Sequence, residues 1–259
     1  MDFYPGFDIA ADGERMTFSY GKNVFGPEVE RRRLDDIRAS LSDPGCTGPD
    51  VLYAIAMDVG RAEDRDDLVA RNLLYGAVVY AAGRLGDEPV RSQGHIHARS
   101  ASCGMSTPEV YEIWQGEAII YLQRYAKDQP GACYAVRARP GDVVVVPPGW
   151  VHATVNARPS ETMAFGAWCV RDYGFDYADV RAHGGLAHFP VVRSDGGIGW
   201  VPNGRYLPSA LVEVDARAYP ELGIDADVPI YEQYARDHGA FDFVARPQLA
   251  SGVWEALVP

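Results

Sequence analysis

The sequence predicts an all-β protein built as a barrel or a sandwich. Many short apolar runs of strand length alternate with turns rich in Gly, Pro and Asp, which is typical of antiparallel sheets. Few segments have helical spacing, so we expect only peripheral helices around a sheet core. The predicted strands are residues 51–57, 73–82, 89–97, 110–114, 118–125, 132–138, 143–146, 151–156 and 162–170, with weaker ones at 190–193 and 199–202.

Two segments predict helices. In residues 27–41, Pro27 lies in the first turn and Leu34, Ile37 and Leu41 recur at helical spacing. Residues 229–238 predict a second helix that ends at Gly239. We expect residues 1–26 to form an irregular arm that pairs with a sheet edge or a second subunit. The chain then divides into an N-terminal arm and helix (1–45), a barrel (46–180) and a C-terminal extension packed on the barrel (181–259).

Composition and charge exclude several classes of protein. The 259 residues carry a net charge of -12, which argues against a nucleic-acid partner because binding to phosphate backbones needs a basic face. The apolar runs are too short to span a membrane. The first residues lack the basic start and apolar stretch of a secretory signal, so we expect a cytoplasmic protein. The cysteines show no Cys-x-x-Cys spacing, and we expect free thiols.

Three histidines and one glutamate have the pattern of a metal site. His95 and His97 lie two residues apart on a predicted strand, so their side chains point the same way. Glu109 begins the next strand, and His152 follows a Pro-Pro-Gly turn. A His-x-His pair alone is common on exposed strands, but the turns around Glu109 and His152 can return their strands to one point. Three imidazoles and a carboxylate suit a first-row divalent ion.

Other charged and imidazole side chains are less informative. Arg84, Arg91 and Arg99 flank the ligand segment and could attract an anionic substrate, although ordinary solvated charges explain each of them equally well. The remaining histidines have no ligand partner at useful spacing, and we expect them to be structural or exposed: His183, His188 and His238.

Several motifs taken together resemble the cupin-type glucose-6-phosphate isomerases. These motifs are GHIH at 94–97, PEVY at 108–111, PGD at 140–142, VPPGWVH at 146–152 and TVN at 154–156. The likeness covers about residues 30–180. Cupins in general share the ligand set, but not the combination of Glu-Val-Tyr with Pro-Pro-x-Trp-x-His-x-Thr-Val-Asn. The likeness is therefore specific to this group.

The resemblance implies a fold, an activity and a cofactor. The fold would be the cupin double-stranded β-helix, a jelly-roll barrel, with a few peripheral helices and a C-terminal extension, and the protein would be a homodimer. Such enzymes interconvert glucose 6-phosphate and fructose 6-phosphate, a step of glycolysis and gluconeogenesis. His95, His97, Glu109 and His152 would bind one divalent metal per subunit. Iron and manganese are the first candidates, followed by nickel, zinc and cobalt.

The resemblance also implies which residues contact the sugar phosphate. Tyr111 shares the inward face of Glu109 and would touch the sugar. Ser92 and Gly94 fall where the family uses a small hydroxyl residue and a glycine to hold the phosphate, and Tyr177 matches a tyrosine near the pocket. Polar groups suited to a polyol are further expected on the pocket wall, from Tyr111, Gln123, Thr154 and Asn156.

The sequence departs from the family pattern at several positions. A phosphate-contacting threonine of the family falls on Val78, a tyrosine of the Pro-Pro turn falls on Gly149, and another pocket aromatic falls on Trp168. Residues 98–108, between His97 and Glu109, form a longer segment than in the family. This segment either replaces the lost phosphate contacts or reshapes the pocket for another sugar.

The expected reaction moves a proton from C2 to C1 of the sugar through an enediolate. Glu109 is the favoured base and Tyr111 places the substrate hydroxyls, while a hydride shift between the carbons is the alternative route. Two other functions use the same ligands. An iron-dependent dioxygenase would have an apolar pocket, and a non-catalytic sugar-binding cupin often loses a ligand, whereas this chain retains all of them.

Overall fold

A computed structural model describes residues 3–258 of the chain. The helices of this part are short: α1 Leu34–Ile37, α2 Arg65–Ala70, α3 Ala178–Ala182, α4 Ile230–Arg236, α5 Asp242–Ala245 and α6 Ser251–Trp254. Its strands are β1 Ile9–Asp12, β2 Thr17–Tyr20, β3 Val24–Phe25, β4 Glu30–Arg33, β5 Val51–Met57, β6 Gly60–Arg61, β7 Leu73–Tyr80, β8 Arg84–Leu85, β9 Glu88–Pro89, β10 Ile96–His97, β11 Glu109–Gln115, β12 Ala118–Gln123, β13 Cys133–Ala138, β14 Val143–Val146, β15 Val151–Asn156, β16 Met163–Val170, β17 Phe175–Asp176, β18 His188–Val192, β19 Ile198–Pro202 and β20 Leu211–Asp215.

Two sheets form the barrel. The larger has the order β14-β11-β16-β7-β5-β4 and the smaller has the order β15-β12-β13-β20. Every pairing in these sheets is antiparallel except that of β13 with β20. Apolar side chains from both sheets, among them Ile120, Val136 and Phe165, pack together between them. The predicted all-β cupin barrel with peripheral helices is confirmed.

The larger sheet is buried on both of its faces. Successive side chains of a strand point to opposite faces, so on β11 Tyr111 packs inside the barrel while Trp114 packs outside. The outer face is covered by the C-terminal segment, whose Tyr231 and Tyr234 pack against Trp168. Burial on both faces explains why residues 73–80 and 163–170 read as nearly continuous apolar runs rather than as an alternating pattern.

Most of the predicted elements are confirmed, and three strands have the predicted bounds: residues 51–57, 143–146 and 151–156. The predicted helix at 229–238 is α4. The predicted strand at 89–97 is divided into β9 and β10. The residues between these two strands are joined to β15 only by isolated bridges. Gly94 accounts for this break, because its φ of 89° is a left-handed conformation outside the range of a strand.

Two predictions near the N-terminus are wrong. Residues 30–33 are strand β4, paired with β5, and only residues 34–37 form helix α1. The apolar residues that suggested a helix all begin at Leu34, so the first half of the segment is free to join the sheet edge. Residues 9–20 form the hairpin β1–β2 instead of an irregular arm, and β3 pairs with β6 in a separate two-stranded sheet.

The ends of the chain contribute to the barrel. Strand β4 extends the larger sheet and β20 extends the smaller one. Both strands lie outside residues 46–180, the range predicted for the barrel. The predicted division at residues 45 and 180 stays a prediction. Within residues 3–258 no helix combines the length and the apolar character needed to cross a membrane.

Candidate metal centre

The backbone brings the four predicted ligands to one end of the barrel. His95 and His152 face each other across an isolated antiparallel bridge, with amide-to-carbonyl distances of 3.1 and 3.0 Å. Glu109 starts β11 beside β14, and His97 lies in β10. One ligand atom from each of these side chains lies within 4.8 Å of the others. The remaining histidines lie outside this cluster, as predicted: His183, His188 and His238.

Backbone carbonyl groups fix the orientation of two imidazole rings. His97 Nδ1 lies 3.0 Å from the Thr107 carbonyl oxygen, and His152 Nδ1 lies 3.2 Å from that of Trp150. A carbonyl oxygen only accepts hydrogen bonds, so each Nδ1 carries the proton and each Nε2 is left with a lone pair. The two Nε2 atoms lie 3.2 and 3.1 Å from Glu109 Oε2. Metal-bound histidines are held in this way by partners on their second nitrogen.

The residues present fit a divalent metal ion. Among residues 3–258, His95 Nε2 and His97 Nε2 are buried polar atoms without a hydrogen-bond partner. Leaving such atoms unsatisfied in an apolar interior is costly, and lone pairs on imidazole nitrogens beside a carboxylate oxygen repel one another. A cation between the three rings and Glu109 removes both problems. The cluster can therefore hold a metal.

The ionisation states of the site also suit a cation. Burial, reinforced by the neighbouring imidazoles, holds the pKa of His95 well below its ordinary value, and burial lowers the pKa of His152. Burial raises the pKa of Glu109, but the neighbouring His152 and His97 imidazoles outweigh that effect and bring the pKa well below its ordinary value. Neutral imidazoles around a charged carboxylate are the protonation states that metal binding requires.

A cavity opens beside His95 and Glu109. Four of the predicted substrate-contacting residues line it: Tyr111, Ser92, Thr154 and Tyr177. Gly94 is not among its lining residues, and a Cβ atom at this position would lie 2.5 Å from Leu186 Cδ2. Its contact with a substrate stays a prediction.

Two other polar side chains expected on the wall are used elsewhere. Gln123 is buried and its carboxamide binds the Ala187 amide and the Tyr125 carbonyl. It lies opposite Val151 in the sheet, so it faces away from His152, the next residue along β15. Asn156 faces inward but binds the carbonyl groups of residues 81 and 161 at the far end of β15. The expectation that these two residues line the pocket is wrong.

None of the arginines predicted to flank the site lines the cavity. The Arg91 guanidinium is fully buried and paired with Glu88, and neither Arg84 nor Arg99 is a lining residue. The cavity instead contains Arg32 of β4. Sequence reasoning missed it because residues 27–41 were predicted as a helix. The one available signal was a run of three arginines that is unusual for a helix start, where acidic residues are favoured.

The long segment between His97 and Glu109 supports the metal cluster and does not reach the cavity. Its Thr107 carbonyl binds His97, and Ser106 Oγ accepts a hydrogen bond of 2.9 Å from the Gly149 amide in the Pro-Pro-Gly turn. No residue from 98 to 108 is among the cavity-lining residues. A contact between this segment and the phosphate stays a prediction.

Cys169 is a site residue that sequence reasoning missed. Its Sγ lies 3.2 Å from Glu109 Oε1, while the Tyr111 hydroxyl donates to Glu109 Oε2 at 2.9 Å. Both carboxylate oxygens are thus held from the barrel interior. Alternation along β16, which places Phe165 and Ala167 inside, could have indicated that Cys169 also points inward.

The sequence model of the family described as Glucose-6-phosphate isomerase (GPI) matches residues 36–208, which include all four predicted ligands. The chain belongs to the glucose-6-phosphate isomerase family. A glucose-6-phosphate isomerase of Thermococcus gammatolerans is 31% identical over 190 residues, covering 71% of this chain and 88% of the relative. That of Pyrococcus furiosus is 31% identical over 200 residues, covering 75% and 96%. The family and the enzyme class predicted from the motifs are confirmed.

Solved structures similar to this member of the glucose-6-phosphate isomerase family are more distant. An oxalate oxidase structure shares 16% identity, covers 41% of this chain and 46% of its own, and has a TM-score of 0.31. A structure of Fe(II)-HppE with an alternative substrate shares 13% identity, covers 55% of both chains and has a TM-score of 0.34. At these TM-scores the likeness carries no argument about the site.

Proposed function

We propose that this protein interconverts glucose 6-phosphate and fructose 6-phosphate at a divalent metal centre held by His95, His97, Glu109 and His152. The observation that carries the proposal is the convergence of these ligand atoms within 4.8 Å, beside a cavity lined with hydroxyl groups, in a chain of this family. One ion binds per subunit, with iron or manganese preferred and nickel, zinc and cobalt as the next candidates. The subunit assembles as a homodimer, which light scattering on the purified protein tests.

The reaction moves a proton from C2 to C1 and a hydroxyl proton from O2 to O1. When bound, the divalent ion supplies Lewis acidity that stabilises negative charge on these oxygens. Tyr111 lines the cavity and binds Glu109, so it positions the carboxylate next to the sugar. Thr154 and Ser92 supply hydroxyl groups for the sugar along the wall. Burial of the cluster excludes bulk water from the carbon that exchanges its proton.

Glu109 transfers the proton between the two carbons in the first of two routes. Among residues 3–258, two carboxylates line the cavity, Glu30 and Glu109. Glu30 lies in the edge strand β4, and Glu109 is the one that belongs to the metal cluster. A carboxylate that accepts a hydrogen bond from Tyr111 and would also bind the metal ion is a weak base. Direct hydride transfer from C2 to C1 is therefore the second route. Reaction in D2O tests the first route, since solvent deuterium bound to C1 or C2 of the product arises by proton transfer and not by hydride transfer.

The test of the function is a coupled assay on fructose 6-phosphate. Protein treated with a chelator should lose activity, and added Mn²⁺ or Fe²⁺ should restore it. Turnover of unphosphorylated sugars alone would assign a different substrate. Absence of turnover in the reloaded protein would refute the isomerase.

A separate measurement tests the dioxygenase alternative. Such an enzyme consumes oxygen, which an oxygen electrode detects. The hydroxyl groups of Tyr53, Tyr80, Ser92 and Thr154 on the cavity wall support a polyol substrate instead.

A further inference from the structure

A row of side chains crosses the larger sheet from its edge to the interior of the barrel. Arg32 of the edge strand β4 is paired with Tyr53 of β5, and Tyr53 is paired with Tyr80 of β7. Residues paired in this way project from the same face of a sheet. The rings of Tyr53 and Tyr80 stack at 4.8 Å with 14° between their planes. All three side chains line the cavity beside the metal cluster.

The inner end of this row reaches predicted substrate contacts. Burial raises the pKa of Tyr80, and the neighbouring hydroxyls of Ser92 and Thr154 oppose that rise. Ser92 Oγ accepts a hydrogen bond of 3.0 Å from the Thr154 amide, and Ser92 also lines the cavity. The row thus links Arg32 at the cavity mouth to hydroxyl donors near His95.

Within the described residues 3–258, Arg32 is the only arginine or lysine that lines this cavity. Its side chain is 25% exposed, and its ion-pair partner Glu30 is 62% exposed. Burial raises the pKa of both Tyr53 and Tyr177, and the Arg32 guanidinium opposes the rise, which places its charge beside both phenols. A dianion at this point would meet one fixed positive charge and two hydroxyl donors. Because an exposed ion pair contributes little, Glu30 can release Arg32 at small cost.

The neighbouring row of the sheet explains why a charge is needed here. Glu30 is paired with Ile55, and Ile55 is paired with Val78. Ile55 and Val78 both line the cavity, so this part of the wall is apolar. We propose that Arg32 binds the phosphate group of the substrate and thereby selects phosphorylated over unphosphorylated sugars, an inference that rests on the proposed function. A guanidinium matches phosphate oxygens with two parallel hydrogen bonds.

The experiment compares the metal-loaded parent with the variants Arg32→Ala, Arg32→Lys and Glu30→Gln. A matched control is Arg84→Ala, an exposed arginine outside the cavity. Steady-state kinetics on fructose 6-phosphate give kcat and KM, and calorimetry gives the affinity for sorbitol 6-phosphate, which cannot isomerise. Metal content and thermal unfolding are measured for every variant.

In Arg32→Ala we expect KM and the dissociation constant for sorbitol 6-phosphate to rise about 10-fold to 100-fold, with kcat within about 3-fold of the parent. Arg32→Lys keeps the charge without the paired donors, so its KM and dissociation constant should lie between those of the parent and those of Arg32→Ala. Glu30→Gln removes the competing carboxylate and should bind sorbitol 6-phosphate more tightly than the parent. Arg84→Ala should match the parent.

Unchanged KM and unchanged affinity in Arg32→Ala would overturn the assignment. So would a loss confined to kcat, or a loss explained by lower metal content, since either indicates a structural role. Failure of the proposed function gives a different result. If the parent does not isomerise fructose 6-phosphate but binds sorbitol 6-phosphate through Arg32, the proposed reaction is wrong and the phosphate site stands.

Discussion

The carboxylate of Glu112 accepts a hydrogen bond of 2.7 Å from the backbone amide of Ile230. Glu112 lies on β11 between Tyr111 and Ile113 but points to the outer face of the sheet, where helix α4 begins. The strand that carries Glu109 on its inner face is therefore tied on its outer face to the C-terminal segment. This contact gives that segment a mechanical connection to the strand of the metal site.

The Glu112 contact predicts a dependence of stability on pH. Burial raises the pKa of Glu112 from 4.5 to about 8, although hydrogen bonds from Ile230 and Trp114 lower it. The folded chain thus holds this proton to a higher pH than the unfolded chain does. The contribution of Glu112 to stability is complete below about pH 4.5 and falls as pH rises to about 8, by at most about 1.4 kcal/mol per pH unit.

Glu112→Gln tests this dependence, because glutamine keeps an acceptor for the Ile230 amide and does not titrate. Urea unfolding at pH 5 and pH 8 should show the variant gaining stability relative to the parent as pH rises. Glu14→Gln, an exposed glutamate between β1 and β2, is the control and should show no such gain. Parallel pH profiles for the parent and Glu112→Gln would contradict the prediction.

Replacing one imidazole of the cluster should abolish metal binding and activity together. We expect His95→Ala and His152→Ala to lose the ion and to lower activity about 100-fold or more, because each substitution removes one of the four ligands. Elemental analysis and the coupled assay measure the two effects. His183→Ala, outside the cluster, should retain both. Stoichiometric metal in both site variants would refute the predicted ligand set.

Cys169 should tune the affinity for the metal without binding it. Cys169→Ala removes the thiol that lies 3.2 Å from Glu109 Oε1, and we expect metal affinity to fall about 10-fold to 100-fold, as for other groups that orient a ligand. Competition with a chelator measures this affinity. Cys133→Ala, another buried cysteine that contacts Gly131 and Ser209, is the matched control. Equal affinities in the two variants would show that the thiol does not support Glu109.

The C-terminal segment should contribute strongly to stability through Tyr231. Its hydroxyl donates to Asp64 at 3.0 Å and accepts from the Arg61 amide at 2.8 Å, and its ring stacks on Trp168. Tyr231→Phe leaves both partners unsatisfied and should cost about 1–3 kcal/mol in the free energy of unfolding. Urea unfolding checks this value. Tyr125→Phe, whose side chain is exposed, should be nearly neutral, and an equally neutral Tyr231→Phe would contradict the prediction.

The sequence was informative where the signal is local. Because side chains of a strand alternate between its two faces, the spacing of His95 and His97 placed both imidazoles on the same face. The turns rich in glycine, proline and aspartate gave the bounds of β5, β14 and β15. Residues 27–41 misled because Leu34, Ile37 and Leu41 recur at helical spacing, although only residues 34–37 form a helix. Hydrogen bonds to β5 make residues 30–33 a strand, and those bonds form across a separation that no local pattern records.

By itself, the sequence determined most of the strands between residues 51 and 170, the four ligand candidates and the resemblance to a family. These follow from residue types at short spacing. Only the tertiary structure decided that Arg32 enters the cavity, that Cys169 supports Glu109 and that Gln123 faces away from the site. Each of these depends on the register between strands distant in the chain, where a shift of one residue moves every side chain to the opposite face.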